Sequence, residues 1–170
     1  MIKCFFLDRD GVLIKNYGYF CNIHKIKWLK GAISSIKLLN SKKIKVIVVT
    51  NQSGVARGYF SEKKLVNFHK QMNLILKKNK ARIDKFYYCP YHPKGNVKKY
   101  SKKSNLRKPN NGMLLKALKK YKFKSSNCYM IGDMKSDYLC AKKTNVSFEY
   151  KKKNSLDKQI QNILKKNNDL

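Results

Sequence analysis

Apolar runs alternate with amphipathic stretches along this chain, regularly enough to assign elements. The runs Lys3–Leu7, Ile44–Thr50 ("IKVIVVT"), Lys85–Cys89 ("KFYYC"), Cys128–Ile131 ("CYMI") and Val146–Tyr150 predict strands. Gly31–Ser41 repeats Ile33, Ile36, Leu38 and Leu39 at helical spacing. Ser61–Lys78 carries Leu65, Phe68, Met72, Ile75 and Leu76 behind Ser61 as N-cap. Gly112–Tyr121, Ser136–Lys143 and Ser155–Lys166 complete the predicted helices. Continuously apolar strands are those buried on both faces, and their alternation with helices predicts an α/β fold, a doubly wound and mostly parallel sheet. Residues 15–30 and 90–111 fit neither period and read as loop insertions, the second long enough to be functional. The final "KKNNDL" is expected to fray.

A chain of 170 residues suffices for one domain with a buried core, here residues 1–170. No apolar run approaches the roughly 18 residues of a membrane span, so no membrane partner is expected. "MIKCFFLDRDG" reads as a strand rather than a signal peptide, because acids follow its apolar stretch at once. The five cysteines are odd in number, scattered and never in C-x-x-C, which suits free thiols in a reducing cytoplasm. A monomer is expected.

The formal charge of +31 first suggests nucleic acid. Only Arg9, Arg57, Arg82 and Arg107 are arginines, however, and lysine is spread over the chain with abundant Asn and Ile. A/T-rich codons give that composition without any demand from function, and no basic–aromatic stripe stands out. Nucleic acid is therefore not the expected partner.

What does stand out is the order of residues after the strands. In an open α/β sheet ligands bind at the carboxyl ends. There follow Asp8-Arg9-Asp10-Gly11, then Thr50-Asn51-Gln52-Ser53-Gly54 with Arg57, then Cys89 and the long loop to Arg107-Lys108-Pro109, then Gly132-Asp133 with Asp137 a turn later. Four of the nine acids thus fall at two strand ends, which a solvated surface would not arrange. Any one of them could be a helix cap or turn residue; the set calls for another reason. Asp8, Asp10 and Asp133 form a hard oxygen site that suits Mg²⁺. A carboxylate there can attack phosphorus, and a second one two residues on can protonate the leaving oxygen and then deprotonate water. The Thr50 hydroxyl, backbone N–H groups around Asn51 and the Lys108 ammonium are the donors a phosphoryl group needs. Gly11 lets the backbone turn beside it.

"FLDRDGVL", "VVTNQSGVARGYF", "YYCPYHP", "RKPNNGML" and "MIGDMKSDYLCA" together resemble the haloacid dehalogenase superfamily of aspartate-dependent phosphatases. Within it they are similar to the branch of D,D-heptose 1,7-bisphosphate and histidinol-phosphate phosphatases, over about residues 2–150. The resemblance implies a Rossmann-like core without a large cap domain, Mg²⁺ dependence and a phospho-aspartyl intermediate. It implies Asp8 as nucleophile, Asp10 as acid/base, Thr50 and Lys108 as phosphoryl stabilisers, and a metal shell of Asp8, Asp133 and the Asp10 carbonyl. It implies substrate contacts from Asn16, Tyr17, Gly18, Tyr19, Asn51, Gln52, Ser53 and Arg107, with Asp137 as support. The implied substrate is a sugar phosphate, a heptose bisphosphate that loses its C7 phosphate on the way to ADP-heptose and the lipopolysaccharide core. A histidinol-phosphate phosphatase and a polynucleotide 3′-phosphatase are the alternatives; against the latter, no G-x-x-x-x-G-K-[ST] kinase loop occurs. A non-enzymatic basic module would leave the ordered acids unexplained.

Two departures from the family pattern matter. Many relatives hold zinc on a C-x-H-H-P … C-x-C loop. Here Cys89 remains, but Tyr91, Ser104 and Leu106 replace the other ligands, and His92 falls on a position that is not a ligand. Zinc is not expected, and Cys89 reads as a small buried hydrophobe. Met134 stands where relatives often place a substrate-contacting lysine. His24 and His69 read as ordinary helix or loop residues, and Trp28 as core.

Overall fold

The computed structural model describes residues 1–169. Five strands, β1 (Cys4–Leu7), β2 (Lys45–Asn51), β3 (Lys85–Cys89), β4 (Cys128–Gly132) and β5 (Ser147–Tyr150), form one sheet of order β3-β2-β1-β4-β5. Every pairing is parallel. The helices are α1 (Ala32–Ser41), α2 (Glu62–Lys78), α3 (Gly112–Tyr121), α4 (Lys135–Lys142) and α5 (Leu156–Lys166). Ser61 caps α2 as its sequence suggests, accepting from the Lys64 N–H at 3.1 Å.

Strand alternation divides the core in two. Phe5, Leu7, Val46, Val48 and Ile131 face α1, α2 and α5, packing with Ile36, Leu65, Met72 and Ile160. Cys4, Phe6, Ile47, Val49, Cys128 and Met130 face the other way, onto Met113, Leu114, Cys140 and Ala141 of α3 and α4. All of β1 is buried, whereas β3 and β5 are half-exposed edges. The doubly wound reading therefore holds, with β1 at its centre.

The two insertions are ordered by long-range pairing. The Lys15 N–H donates to Lys27 and the Leu29 N–H to Leu13, so residues 15–30 form a flap whose base is a short antiparallel ladder. Trp28 is half-buried in that ladder. In the second insertion the Asn96 and Val97 N–H groups share the Ala56 carbonyl, and Glu62 accepts from the Tyr88 and Tyr100 hydroxyls. Tyr91 and Leu106 pack against the cluster that contains buried Cys89, and Ser104 Oγ accepts from the Leu106 N–H. Burial pushes the Cys89 thiol up.

The C-terminal segment corrects an expectation. α5 continues through Lys166, and the Asp169 carboxylate accepts from the Ile2 N–H at 2.7 Å, which ties the segment to the start of the chain. Leu170 lies outside the described residues. Among those described, no helix is long and apolar enough to cross a membrane.

Candidate active site

The parallel sheet aims the ends of β1, β2 and β4 at one cleft of about 370 Å³. It is lined by Asp8, Asp10, Thr50, Lys108, Asp133, Arg107 and residues of both insertions. Asp8 directly follows β1, its Oδ1 accepting from the Arg9 N–H at 2.7 Å and its Oδ2 lying 3.1 Å from Lys108 Nζ. The Lys108 ammonium, 3% exposed, also donates to the Val49 carbonyl at 2.9 Å and meets Asp137 Oδ1 at 2.5 Å. Burial works against its charge, but Asp8 and Asp137 together hold its pKa above the ordinary lysine value. Asn51 locks Lys108 in place: its amide donates to the Lys108 carbonyl and accepts from the Lys108 N–H, both at 3.0 Å.

Asp10 is held on another axis. The Arg9 fork meets both of its oxygens at 3.0–3.2 Å, and Gln52 Nε2 donates to Oδ2 at 2.8 Å. Burial raises the Asp10 pKa above the usual carboxylate value against the pull of Arg9, and nearby Asp8 adds to the rise. Gln52 Nε2 also donates to Thr50 Oγ1 at 2.9 Å, which leaves the Thr50 proton free for an acceptor in the cleft.

Asp8, Asp133 and Asp137 bring carboxylate oxygens within 4.8 Å of one another. Burial first, then Asp8 and Asp137, push the Asp133 pKa up to about 6. Asp133 Oδ1 is buried with no hydrogen-bond partner, and a Cβ on Gly11, at φ +81°, would overlap the Asp133 carboxylate. Three converging acids, an unanswered oxygen on Asp133 and, among the described residues, only Lys108 paired with them as counter-charge fit a divalent cation bound by oxygen. The Asp137 Oδ2 closes the first turn of α4 by accepting from the Met134 N–H at 3.0 Å. Its other oxygen meets Lys108 and lies among the converging carboxylates.

Most other anticipated residues reach the cleft. Asn16, Gly18, Tyr19, Ser53 and Arg107 line it, as does Met134, which is 57% exposed. Tyr17 does not; it packs on Phe20 with centroids 5.1 Å apart. The side chains of Asn51 and Gln52 border the cleft, but their amides serve Lys108, Asp10 and Thr50. Arg107 and Arg57 crowd His92: burial and both guanidinium groups lower its pKa, which favours the neutral ring. Arg57 lies over the Tyr19 ring at 5.5 Å, and Tyr19 stacks on Tyr59 at 4.5 Å.

Sequence reasoning gave Arg9 and His69 no role. Arg9 is fully buried, spanning Asp10, Gln52 Oε1, the Phe20 carbonyl and His69. A charged residue continuing an apolar strand was the available signal for the first. For the second it was a histidine on the Leu65–Met72–Leu76 stripe of α2.

A family model described as "Polynucleotide kinase 3 phosphatase" matches residues 3–161. A D-glycero-β-D-manno-heptose-1,7-bisphosphate 7-phosphatase from Haemophilus influenzae is 39% identical over 137 residues, covering 81% of this chain and 74% of that protein. The protein of the same description from Escherichia coli K12 is 35% identical over 145 residues, covering 85% and 76%. The crystal structure of D,D-heptose 1,7-bisphosphate phosphatase from B. bronchiseptica, complexed with magnesium and phosphate, superposes with a TM-score of 0.78 at 23% identity, over 97% of this chain and 99% of that one. With strand-end acids already gathered around a buried lysine, these matches establish that the chain belongs to the haloacid dehalogenase superfamily of phosphatases, in the branch of the heptose bisphosphate phosphatases.

Proposed function

We propose that this protein is a Mg²⁺-dependent cytoplasmic phosphatase that removes the C7 phosphate of D-glycero-D-manno-heptose 1,7-bisphosphate through a phospho-aspartate on Asp8. The observation that carries the reading is the division of labour between the two aspartates of one strand end. Asp8 faces Lys108 and the acid cluster, while Asp10 is clamped by Arg9 and Gln52 with a raised pKa. That division suits Asp8 to the part of nucleophile and Asp10 to that of proton carrier.

In this account Asp8 attacks the C7 phosphorus, and protonated Asp10 gives its proton to the departing sugar oxygen. Thr50 and Lys108 hold the phosphoryl oxygens as their charge grows. Asp10, now ionised, takes a proton from water that attacks the phospho-aspartate, which frees phosphate and restores Asp8. Asp8 and Asp133 would hold Mg²⁺ beside this group, with Asp137 close by. Bound there, Mg²⁺ offsets the negative charge that otherwise keeps a carboxylate from a phosphate. Arg107 meets the second phosphate, since a guanidinium fork suits an anion better than an ammonium does. Free, buried cysteines suit the reducing cytoplasm.

The test is phosphate release from heptose bisphosphate, histidinol phosphate and 3′-phosphorylated oligonucleotides, each with and without Mg²⁺. Preference for the heptose bisphosphate with Mg²⁺ supports the reading. Preference for either other substrate removes its substrate half, and turnover in EDTA removes its metal half.

A further inference from the structure

His69, 4% exposed, is the buried one of the three histidines. Its ring stacks on Phe86, centroids 4.3 Å apart and planes within 10°. Its Nε2 lies 3.2 Å from Arg9 Nη1. Arginine has no acceptor, so this contact requires Nε2 to accept and the ring to be neutral, with its proton on Nδ1. Burial and the Arg9 charge both hold the His69 pKa well below its usual value, in keeping with that geometry.

The rest of the fork explains what the contact does. Arg9 Nη2 donates to Asp10, to Gln52 Oε1 at 2.8 Å and to the Phe20 carbonyl at 3.1 Å. Phe68 lies 5.1 Å from the guanidinium carbon. On Nη1 the acceptor is His69. Asp10 therefore holds one end of a rigid planar group and His69 the other. A buried guanidinium with one nitrogen unanswered would turn toward another acceptor, and the Asp10 carboxyl would turn with it.

We propose that His69 is a positioning residue which, through Arg9, holds the Asp10 carboxyl at the angle needed to deliver a proton to the leaving oxygen. This rests on Asp10 as the general acid, and the experiment separates the two ideas. A sugar alkoxide needs that proton; p-nitrophenolate leaves without it. The readout is kcat/KM, which covers steps up to leaving-group departure, on heptose bisphosphate and on p-nitrophenyl phosphate. His69→Phe keeps an aromatic ring against Phe86 but removes the acceptor. His69→Gln places an amide oxygen near the position of Nε2.

His69→Phe should lose about tenfold on the sugar phosphate and no more than about threefold on the aryl phosphate. His69→Gln should recover most of the difference. Equal losses on both substrates, or no recovery with Gln, overturn the proposal and leave His69 a packing residue. Asp10→Asn is the gauge: it should show the same leaving-group dependence, only larger. If it does and His69→Phe does not, the His69 proposal fails alone; if neither does, the acid role of Asp10 fails and takes the proposal with it. A second readout needs no variant to fold. Long-range ¹H–¹⁵N spectra of the wild-type histidines should show one ring with unprotonated Nε2 that does not titrate between about pH 6 and 8. A buried ring protonated at Nε2 contradicts the proposal.

Discussion

The sheet carries a cleft at each end. Where β2 and β3 begin, about 800 Å³ is lined by Lys45, Lys77, Lys80, Arg82 and Asp84 among others. Where β1, β2 and β4 end, a cleft of about 370 Å³ holds Asp8, Asp10, Lys108 and Asp133. The larger one has the simpler electrostatics. Its single acid, Asp84, is answered by Lys45 at 2.7 Å, Arg82 at 3.6 Å and the Val46 N–H at 2.9 Å, while its lysines reach water. In the smaller one, acids crowd together away from water, Asp133 Oδ1 has no partner, and carboxylate pKa values rise. Folding keeps such an arrangement only against its desolvation and repulsion. Unanswered buried charge, rather than cavity size, singles out the end where the proposed chemistry sits.

Substitutions should separate the two ends sharply. Asp8→Asn should abolish turnover while the far-UV spectrum and melting remain folded, because an amide is a poor nucleophile and a poor metal ligand. Asp10→Asn should cost about 10²–10⁴-fold in kcat through lost proton transfer. Arg107→Ala should reduce kcat/KM for the bisphosphate by about 2–4 kcal/mol, as for a lost charge-assisted pair, and matter less for a small monophosphate. Equal losses on both substrates would make Arg107 a support for its loop. At the opposite end, Lys80→Ala should change neither kcat nor KM, and shift stability by no more than about 0.5 kcal/mol. A large loss of activity there would break the comparison.

Metal and pH sharpen it further. The folded pKa of Asp133 is about 6, above its ordinary value of 3.8. The metal-free fold therefore binds more protons than the unfolded chain between those two values, and this residue's contribution to stability falls as pH rises through that window. Mg²⁺ binds the ionised form, so its thermal stabilisation should be large near pH 7.5 and shrink toward pH 5.5. At a concentration 100 times its dissociation constant, Mg²⁺ adds about 2.7 kcal/mol to stability. A melting shift independent of pH would mean that the cation sits away from Asp133.

Much of this was readable in the chain. Once the apolar runs are taken as parallel strands, Asp8, Thr50 and Asp133 must meet at one edge, because each sits at the carboxyl end of a strand. What the periodicity did not carry is side-chain direction beyond the last strand residue. Arg9 follows Phe5 and Leu7 in parity, and so turns toward α2, where Phe68 and His69 receive it. Asp137 was read as support, but the sequence did not say of what; the first turn of α4 brings one of its oxygens onto Lys108. Tyr17 lies off the cleft, its ring against Phe20 within the flap. The two insertions could be marked only as departures from period, since contacts as distant as Ala56 with Val97 and Asn51 with Lys108 shape them.

The central claim is that Asp8 carries the phosphoryl group. The most direct measurement is intact-protein and peptide mass spectrometry after acid quench of Asp10→Asn, in which hydrolysis of the intermediate is slowed, following a brief exposure to p-nitrophenyl phosphate, whose leaving group needs no acid, and Mg²⁺. The account predicts an adduct with the mass of one phosphoryl group on the peptide containing Asp8, lost on treatment with hydroxylamine and absent from the Asp8→Asn protein. Turnover by an Asp8→Asn protein, or an adduct on any other residue, would contradict it.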